Sequence, residues 1–206
     1  MPARNLSKKP MLKRKLIHHK VLRKLFYSKI IDVYFSDCNS IIDIGCGFGD
    51  FLFAAKSKGK LVVGIDLDIH TLIALRTFSF DMVQCDVMHL PFRDNSFDGA
   101  FFSHVIEHIP FSNTMTALKE IKRVTKRKLI VITPTQHRGF WIPGHVTLYD
   151  KQKLVHVLEK AGFHVNKCFY DKCFILKLPE QKLLVTIFNM LPFIWLRMNI
   201  IAVATK

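Results

Sequence analysis

The sequence predicts an α/β fold in which a buried sheet lies among helices. Three apolar runs, at residues 40–44, 61–66 and 129–134, have the length of strands and no regular polar face, as buried strands do. Segments with apolar residues at helical spacing, such as residues 113–125 and 152–160, lie between or after these runs. A turn with three alternate glycines joins the first run to the first helix. Alternation of strands and helices is typical of the α/β class.

The composition is that of one globular domain with an unusual positive charge. Of the 206 residues, 50% are hydrophobic and 23% are charged, which is enough apolar surface for a full core. The formal net charge is +15, and ten of the 31 Lys and Arg residues lie in residues 1–31, before the first acidic residue, Asp32. The excess charge is therefore mainly a property of the N-terminal segment.

Residues 11–35 carry apolar side chains at helical spacing with Lys and Arg between them, which predicts one or two amphipathic helices. We therefore divide the chain into a basic amphipathic N-terminal helical arm, residues 1–35, and a larger domain, residues 36–206. Three roles fit this basic face. It is exposed to solvent, it contacts an anionic membrane surface, or it contacts nucleic-acid phosphates. The pattern leaves these three alternatives open.

The five cysteines form no C-x-x-C pair and no disulfide spacing, which favours a reducing compartment. The basic start is not followed by the apolar stretch and small-residue cleavage site of a secretory signal. We expect a cytoplasmic protein that is able to lie at the membrane periphery.

The run 41–51 reads as a buried strand that turns sharply into a helix. Asp43 is followed by Gly45, Gly47 and Gly49, and the helix extends to about Lys58. A dinucleotide fingerprint would need glycine at Asp50, and no Lys-Ser or Lys-Thr of a phosphate loop follows. The turn therefore indicates a ligand of a different class, held at the positive end of the helix dipole.

Two further predicted strands each end in an acid. The strand at 61–66 ends in Asp66, which is placed to accept both hydroxyl hydrogens of a ribose, and Leu67 can lie against a base. A shorter strand at 82–86 ends in Asp86. Asp68 is predicted to cap the helix that follows Leu67.

The run D-x-G-x-G-x-G from Asp43, together with D-x-x-x-L-P-F-x-x-x-S-F-D over residues 86–98, resembles the class I S-adenosylmethionine (SAM)-dependent methyltransferases of the small-molecule "type 11" group. The resemblance covers residues 40–162 with motifs and the rest more loosely. It implies a Rossmann-like three-layer α/β/α sandwich with a seven-stranded, mostly parallel sheet and one antiparallel strand. It also implies SAM as the cofactor.

The resemblance assigns the cofactor-binding residues. The glycines bring the backbone close to the methionine part, Asp43 holds its amino end, Asp66 holds the ribose, and Asp86 with the Val87 amide holds the adenine. The full predicted set is Asp43, Gly45, Cys46, Gly47, Gly49, Asp66, Leu67, Asp86, Val87 and Ser103.

The predicted fourth strand, residues 96–103, is followed by His104-Val105-Ile106-Glu107-His108. This string matches the H-x-x-E-H zinc-protease pattern, but that pattern needs a continuous helix, and Pro110 follows at once. It also resembles the E-x-x-E-H metal site of some quinone O-methyltransferases, with His104 in place of the first glutamate. We therefore predict no metal site, and we predict that His104 faces the acceptor as a catalytic residue.

The loop at 135–149 follows the predicted fifth strand and is rich in aromatic, imidazole and guanidinium groups, which suit a substrate wall. Arg138, Trp141 and Tyr149 are its predicted substrate-contacting residues. His145 is the second predicted catalytic residue, because an imidazole can accept a proton from a hydroxyl near neutral pH.

The stretch 183–205 is apolar enough to suggest a membrane span, but Arg197, Asn189 and Pro192 interrupt it. The resemblance favours an apolar helical insertion at about 180–196, followed by a last, antiparallel strand at 199–204. We therefore expect no transmembrane span.

Together these features predict a SAM-dependent methyltransferase that acts on a small-molecule or lipid-like acceptor, at an oxygen atom. Two alternatives remain open. One is an RNA methyltransferase that uses the basic N-terminal arm, although no RNA-binding module is recognisable. The other is a non-catalytic SAM-fold partner protein, which the intact glycine turn and acids disfavour.

Overall fold

The computed structural model describes residues 23–136, 142–172 and 197–206. The helices are α1 (residues 23–34), α2 (Asp50–Ser57), α3 (Ile69–Leu75), α4 (Phe111–Val124) and α5 (Lys151–Lys160). The strands are β1 (Ser40–Ile44), β2 (Leu61–Asp66), β3 (Asp81–Gln84), β4 (Phe97–Ser103), β5 (Thr125–Pro134), β6 (His164–Lys172) and β7 (Arg197–Thr205). Short 3₁₀ turns cover Arg76–Phe78 and Ile106–His108.

The strands form one seven-stranded sheet in the order β3-β2-β1-β4-β5-β7-β6. The first five strands of this order are parallel, and β7 pairs antiparallel with both β5 and β6. This arrangement confirms the predicted Rossmann-like fold. The chain builds one half of the sheet from β1 to β3 and then returns to place β4 on the other side of β1. The neighbours β1 and β4 therefore lie at the switch point where sheets of this kind bind ligands.

Helices cover both faces of the sheet, and alternate residues of each strand point to opposite layers. On β1, Ile41 packs in the layer with α1, α2 and α3, whereas Ile42 packs in the layer with α4 and α5. The same alternation separates Ile130 from Val131 on β5. These two apolar layers explain why the strands are apolar throughout, as the sequence indicates.

Helix α1 is docked on the sheet. Ile30, Ile31 and Phe35 at its end are buried in the core. Gly99 of β4 provides the space, since a methyl group there would lie 2.6 Å from the Phe35 ring. The boundary at residue 35 stays a prediction, but this part of the arm shares the core of the larger domain.

The strand boundaries that differ from the sequence prediction include the end of β3 and the start of β5. β3 ends at Gln84, so Asp86 follows the strand instead of closing it. β5 begins at Thr125, directly after α4, whereas the apolar run begins at Leu129. The first part of β5 is partly exposed. The basic residues 126–128 can therefore extend this strand without the cost of burying their charges.

The predicted insertion at 180–196 lies outside the described residues. Over the ranges that the structure describes, no helix has both the length and the apolar character needed to cross a membrane. The residues from Arg197 onward, which belong to the apolar stretch, form a strand.

Candidate active site

The candidate site lies where the parallel strands β1, β2, β3 and β4 end. Two adjoining cavities open there, one of about 490 Å³ and one of about 220 Å³. Gly45, Gly47 and His104 line both cavities, and so the glycine turn and the end of β4 form their common wall. The larger cavity has the volume of a typical small-ligand pocket.

The glycine turn has the geometry that its alternate glycines predict. Gly45 has a φ of 70°, and a methyl group on it would overlap the side chain of Val105. Gly47 has a φ of 49°, and a methyl group on it would meet no atom within 4 Å. The main chain at Gly47 is therefore open toward the cavities, whereas Gly45 is needed for packing as well as for its backbone angle.

Asp66, at the end of β2, is tied to this turn. Its Oδ2 accepts a hydrogen bond of 2.9 Å from the Gly47 amide, and its Oδ1 accepts one of 3.0 Å from the Asp68 amide. Asp68 caps α3 as predicted, since its side chain accepts a bond from the His70 amide. Asp66 thus lines the larger cavity in a fixed orientation, next to the exposed side chain of Leu67.

Asp43 is the most unusual carboxylate of the site. It is 3% exposed, and its Oδ2 has no hydrogen-bond partner. Burial raises the pKa of Asp43 well above its ordinary value, and the nearby carboxylates of Asp66 and Asp50 raise it further. Because it lines the smaller cavity, a cationic group of a ligand is the natural partner for this side chain.

Cys46 lines the smaller cavity, although the residue is largely buried. Its side chain is 7% exposed and packs toward Gly64 and Leu52. Burial is the main cause that raises the pKa of the Cys46 thiol, so the sulfur stays protonated and unreactive.

Asp86 and Val87 line the larger cavity, whereas the acids Asp43 and Asp50 line the smaller one. Asp86 Oδ1 accepts a bond of 2.9 Å from the Met88 amide. The segment that follows is anchored by Arg123 of α4, which donates to the carbonyls of Leu90 and Phe92.

His104 stands directly after β4 in an unusual backbone conformation. Its φ is 56°, which is rare for a residue with a side chain, and its amide donates to the Ile132 carbonyl at 2.8 Å. The imidazole is about half exposed and lines both cavities. Strained backbone of this kind occurs at functional sites, where it directs a side chain toward a ligand. Ser103, the last residue of β4, lines the smaller cavity beside it.

Glu107 lies buried behind His104. Its Oε2 accepts a hydrogen bond of 3.0 Å from the Thr133 hydroxyl. Its Oε1 lies 3.3 Å from His104 Nδ1, within ion-pair distance but without hydrogen-bond alignment. The Glu107 carbonyl accepts from the amides of Val146 and Thr147, which fixes the loop after residue 142 to this point.

His145 lies against His108 and not on the lining of the two cavities. The two rings make an edge contact with centroids 4.8 Å apart, and His108 Nδ1 donates to the Gly144 carbonyl at 2.9 Å. His145 Nδ1 is buried without a partner. The ligand atoms of Glu107, His108 and His145 lie within 4.8 Å of one another and could hold a divalent cation, so the predicted absence of a metal stays a prediction.

Of the three predicted substrate residues, the structure describes Tyr149. Tyr149 is fully buried, and its hydroxyl is 3.1 Å from that of Thr114 on α4, so it packs in the core and does not line either of the two described cavities. This differs from the sequence prediction because Tyr149 lies at the end of the loop, where the chain returns to the core. Arg138 and Trp141 lie outside the described residues.

The residues that line the smaller cavity and were not predicted from the sequence include Arg23 and Tyr27 of α1. Arg23 forms an ion pair of 2.8 Å with Asp50, at the start of α2. Both residues lie in a run of basic and aromatic residues that gives no local sign of a ligand. Only the docking of α1 on the sheet brings them to the glycine turn.

Comparison with known proteins gives a consistent result. Residues 42–132 match the methyltransferase domain family of type 11. The chain is 35% identical over 129 residues to an uncharacterized protein of Methanocaldococcus jannaschii, which covers 61% of this chain and 55% of that protein. It is 34% identical over 133 residues to the demethylmenaquinone methyltransferase of Staphylococcus aureus, covering 59% of this chain and 53% of that enzyme. The chain thus spans about half the length of these curated relatives.

Solved structures show the same fold. A SAM-dependent methyltransferase from Archaeoglobus fulgidus superimposes with a TM-score of 0.71 at 22% identity, covering 89% of this chain and 94% of that one. A methyltransferase from Haloferax volcanii, solved in complex with the Trm112 activator, superimposes with a TM-score of 0.64 at 16% identity, covering 81% of this chain and 82% of that one.

Proposed function

We propose that this chain is a class I SAM-dependent methyltransferase of the type 11 group, through the domain at residues 42–132. The proposed reaction transfers a methyl group from SAM to a small-molecule or lipid-like acceptor. The observation that carries the proposal is the buried Asp43 carboxylate, whose Oδ2 has no partner and which lines a cavity at the glycine turn. A cofactor with a cationic amino end satisfies this group.

The residues of the site fit the whole cofactor. Gly47 leaves the main chain open, so a ligand can approach the turn closely. Asp66 and Leu67 line the part of the larger cavity suited to a ribose, and Asp86 and Val87 line the part suited to an adenine. Each of these roles is supported by the position of the residue at the end of a strand or shortly after it.

SAM supplies an electrophilic methyl group, so the protein has mainly to align the two reactants and to exclude water. His104 is the proposed general base, because its imidazole lines both cavities and is about half exposed. The buried carboxylate of Glu107, 3.3 Å from its Nδ1, stabilises the imidazolium that forms when His104 accepts a proton. This arrangement supports a hydroxyl acceptor and therefore methylation at oxygen.

The rim of the larger cavity supports an apolar or lipid-like acceptor. Val105, Ile109 and Pro110 line it. Phe111, Ile142 and Val146, in the segments next to it, are exposed hydrophobic side chains. An apolar acceptor would cover such a surface, which is otherwise unfavourable in water.

A cytoplasmic location with peripheral contact to an anionic membrane, through the basic residues of the N-terminal arm, remains part of this proposal. Vesicle co-sedimentation tests it: binding that grows with the fraction of anionic lipid supports the contact, and equal recovery with neutral vesicles contradicts it.

Isothermal titration calorimetry with S-adenosylhomocysteine tests the cofactor, and a methyl-labelled SAM donor incubated with a small-molecule extract tests the acceptor. We expect micromolar or tighter cofactor binding and label in an extractable apolar compound. Absence of binding would favour the non-catalytic alternative. Label in RNA, together with RNA affinity that falls steeply with salt, would favour the RNA methyltransferase.

A further inference from the structure

Glu107, His108 and His145 form a cluster that contains two buried atoms without a hydrogen-bond partner. Such atoms are uncommon in proteins, and each one needs an explanation. In the part of the chain that the structure describes they are Asp43 Oδ2, Glu107 Oε1 and His145 Nδ1. The proposed function explains the first through the cationic end of the cofactor. The other two belong to the cluster, beside the larger cavity that His108 lines.

The cluster has nearly the dimensions of a metal site. Glu107 and His108 come from the 3₁₀ turn after β4, and His145 comes from the loop after residue 142. Tetrahedral ligands about 2.1 Å from a zinc ion lie about 3.4 Å apart, whereas the ligand atoms here lie within 4.8 Å of one another, so they have to close by at most about 1.4 Å. Small rotations of the two imidazole rings supply this movement. The exposed side chain of His108 gives a cation access from solvent.

The atoms of Glu107 and His108 that would face away from a cation are already hydrogen-bonded. Glu107 Oε2 accepts a bond of 3.0 Å from the Thr133 hydroxyl. His108 Nδ1 donates one of 2.9 Å to the Gly144 carbonyl. Because a carbonyl only accepts, His108 carries its proton on Nδ1 and keeps a lone pair on Nε2. Metal-binding histidines and carboxylates are oriented by such bonds to their second atom.

The main chain holds the two segments of the cluster together. The Glu107 carbonyl accepts from the amides of Val146 and Thr147 at 2.9 and 3.0 Å. The Thr147 hydroxyl donates to the Ile109 carbonyl at 2.7 Å. His145 is therefore held beside the turn before a cation arrives, and binding does not have to order this part of the loop.

Two imidazoles and one carboxylate have a clear preference among cations. Imidazole suits zinc, nickel, copper and iron, whereas magnesium and calcium prefer oxygen ligands. We propose that Glu107, His108 and His145 bind one divalent d-block metal ion, such as Zn²⁺, at the wall of the larger cavity. Three protein ligands leave at least one coordination position for water or for a ligand oxygen.

This site goes beyond the proposed function, because it needs neither the cofactor nor the acceptor. It is the alternative to the absence of a metal that the sequence favours, since the string from His104 to His108 does not show that His145 lies beside it. Glu107 Oε1 also lies 3.3 Å from His104 Nδ1. A carboxylate oxygen has two lone pairs, so this atom can contact a cation and the imidazole together.

Calorimetry on the full chain, without an affinity tag and after treatment with a chelator, tests the site with Zn²⁺ and with Mg²⁺. The ligand variants are His145→Gln and Glu107→Gln, and His156→Gln is the control. His156 is an exposed histidine of α5 and does not belong to the cluster. Co²⁺ in place of Zn²⁺ gives a second measurement, because its visible absorption depends on the ligands that surround it.

We expect the native protein to bind one Zn²⁺ per chain with micromolar or tighter affinity and to bind Mg²⁺ more weakly. Each ligand variant should bind Zn²⁺ about tenfold or more weakly and lose the Co²⁺ absorption, whereas His156→Gln should stay within about twofold. Zn²⁺ should also raise the Tm of the native protein and of the control.

Three results would overturn the inference. One is the absence of saturable Zn²⁺ binding to the native protein. Another is equal Zn²⁺ affinity in the native protein and in a ligand variant with native circular dichroism, which would place the metal on other histidines. The third is tighter binding of Mg²⁺ than of Zn²⁺, which would contradict the donor set.

Discussion

The carboxylate of Asp66 and the backbone amide of Gly47 are hydrogen-bonded at 2.9 Å, so the end of β2 is joined directly to the glycine turn that follows β1. One side chain therefore has two tasks. It lines the larger cavity, and it fixes the main chain that the cofactor approaches.

Replacement of Asp66 by Ala should weaken S-adenosylhomocysteine binding by at least about 1 kcal/mol, because charge-assisted hydrogen bonds are lost and the turn is released. Calorimetry measures the change. Asp81→Ala, at the exposed start of β3, is the control and should bind as the native protein does. Native affinity in a folded Asp66→Ala variant would refute the ribose assignment.

Gly45→Ala and Gly47→Ala form a matched pair. Both place a side chain on left-handed backbone, which costs about 1–2 kcal/mol. At Gly45 the methyl group also overlaps Val105, and overpacking adds about 1–3 kcal/mol. Urea denaturation should therefore show a larger loss of unfolding free energy for Gly45→Ala. Equal losses would mean that Val105 moves away without cost.

Asp43→Asn should stabilise the protein without cofactor at neutral pH, because the neutral amide does not carry the cost of burying a carboxylate charge. The pKa of Asp43 is raised on folding, so the native state holds its proton more tightly than the unfolded state does. The contribution of this group to stability therefore falls as the pH rises from the ordinary carboxyl range toward the raised pKa.

Thermal denaturation across pH 4–8 should show this decline in the native protein and a weaker one in Asp43→Asn. Cofactor affinity should change in the opposite sense and fall in the variant. A variant that is less stable at every pH would show that the carboxylate supports the fold instead of serving a ligand.

His104→Asn should lower turnover by about 100-fold and keep S-adenosylhomocysteine affinity within about twofold, since a general base contributes mainly to the chemical step. Asn is suitable because it tolerates the left-handed backbone at this position. Label transfer from methyl-labelled SAM to the extracted acceptor is the measurement.

Glu107→Gln should reduce turnover in the same direction by a smaller factor, because it acts through His104. His145→Gln serves as a comparison, since His145 does not line either cavity. If His145→Gln caused the greater loss, the general base would have to be reassigned to that residue.

Local sequence predicts the parts of the site that lie next to one another in the chain. The three glycines need positive φ in one turn, and Asp43 and Asp66 occur on or at the end of apolar strands, so their positions follow from spacing. The core likewise follows from the apolar strands and the helical periodicity. These patterns reflect burial, which is a property of single segments.

Contacts between distant segments could not be predicted in this way. Arg23 reaches Asp50, and Thr133 reaches Glu107, only because the sheet brings separate elements together. Tyr149 has the polar hydroxyl of a site residue, but Thr114 satisfies that hydroxyl inside the core. The sequence does not distinguish a loop residue from a core residue when the difference depends on one hydrogen-bond partner from a distant segment.

The position of β7 in the sheet constrains the order in which the protein can assemble during synthesis. Residues 197–205 separate β5 from β6, which make their pairings through this strand. Until that segment leaves the ribosome, a nascent chain exposes one long side of β5, whose middle is apolar. We therefore expect this protein to need protection from a chaperone until residues 197–205 have been translated.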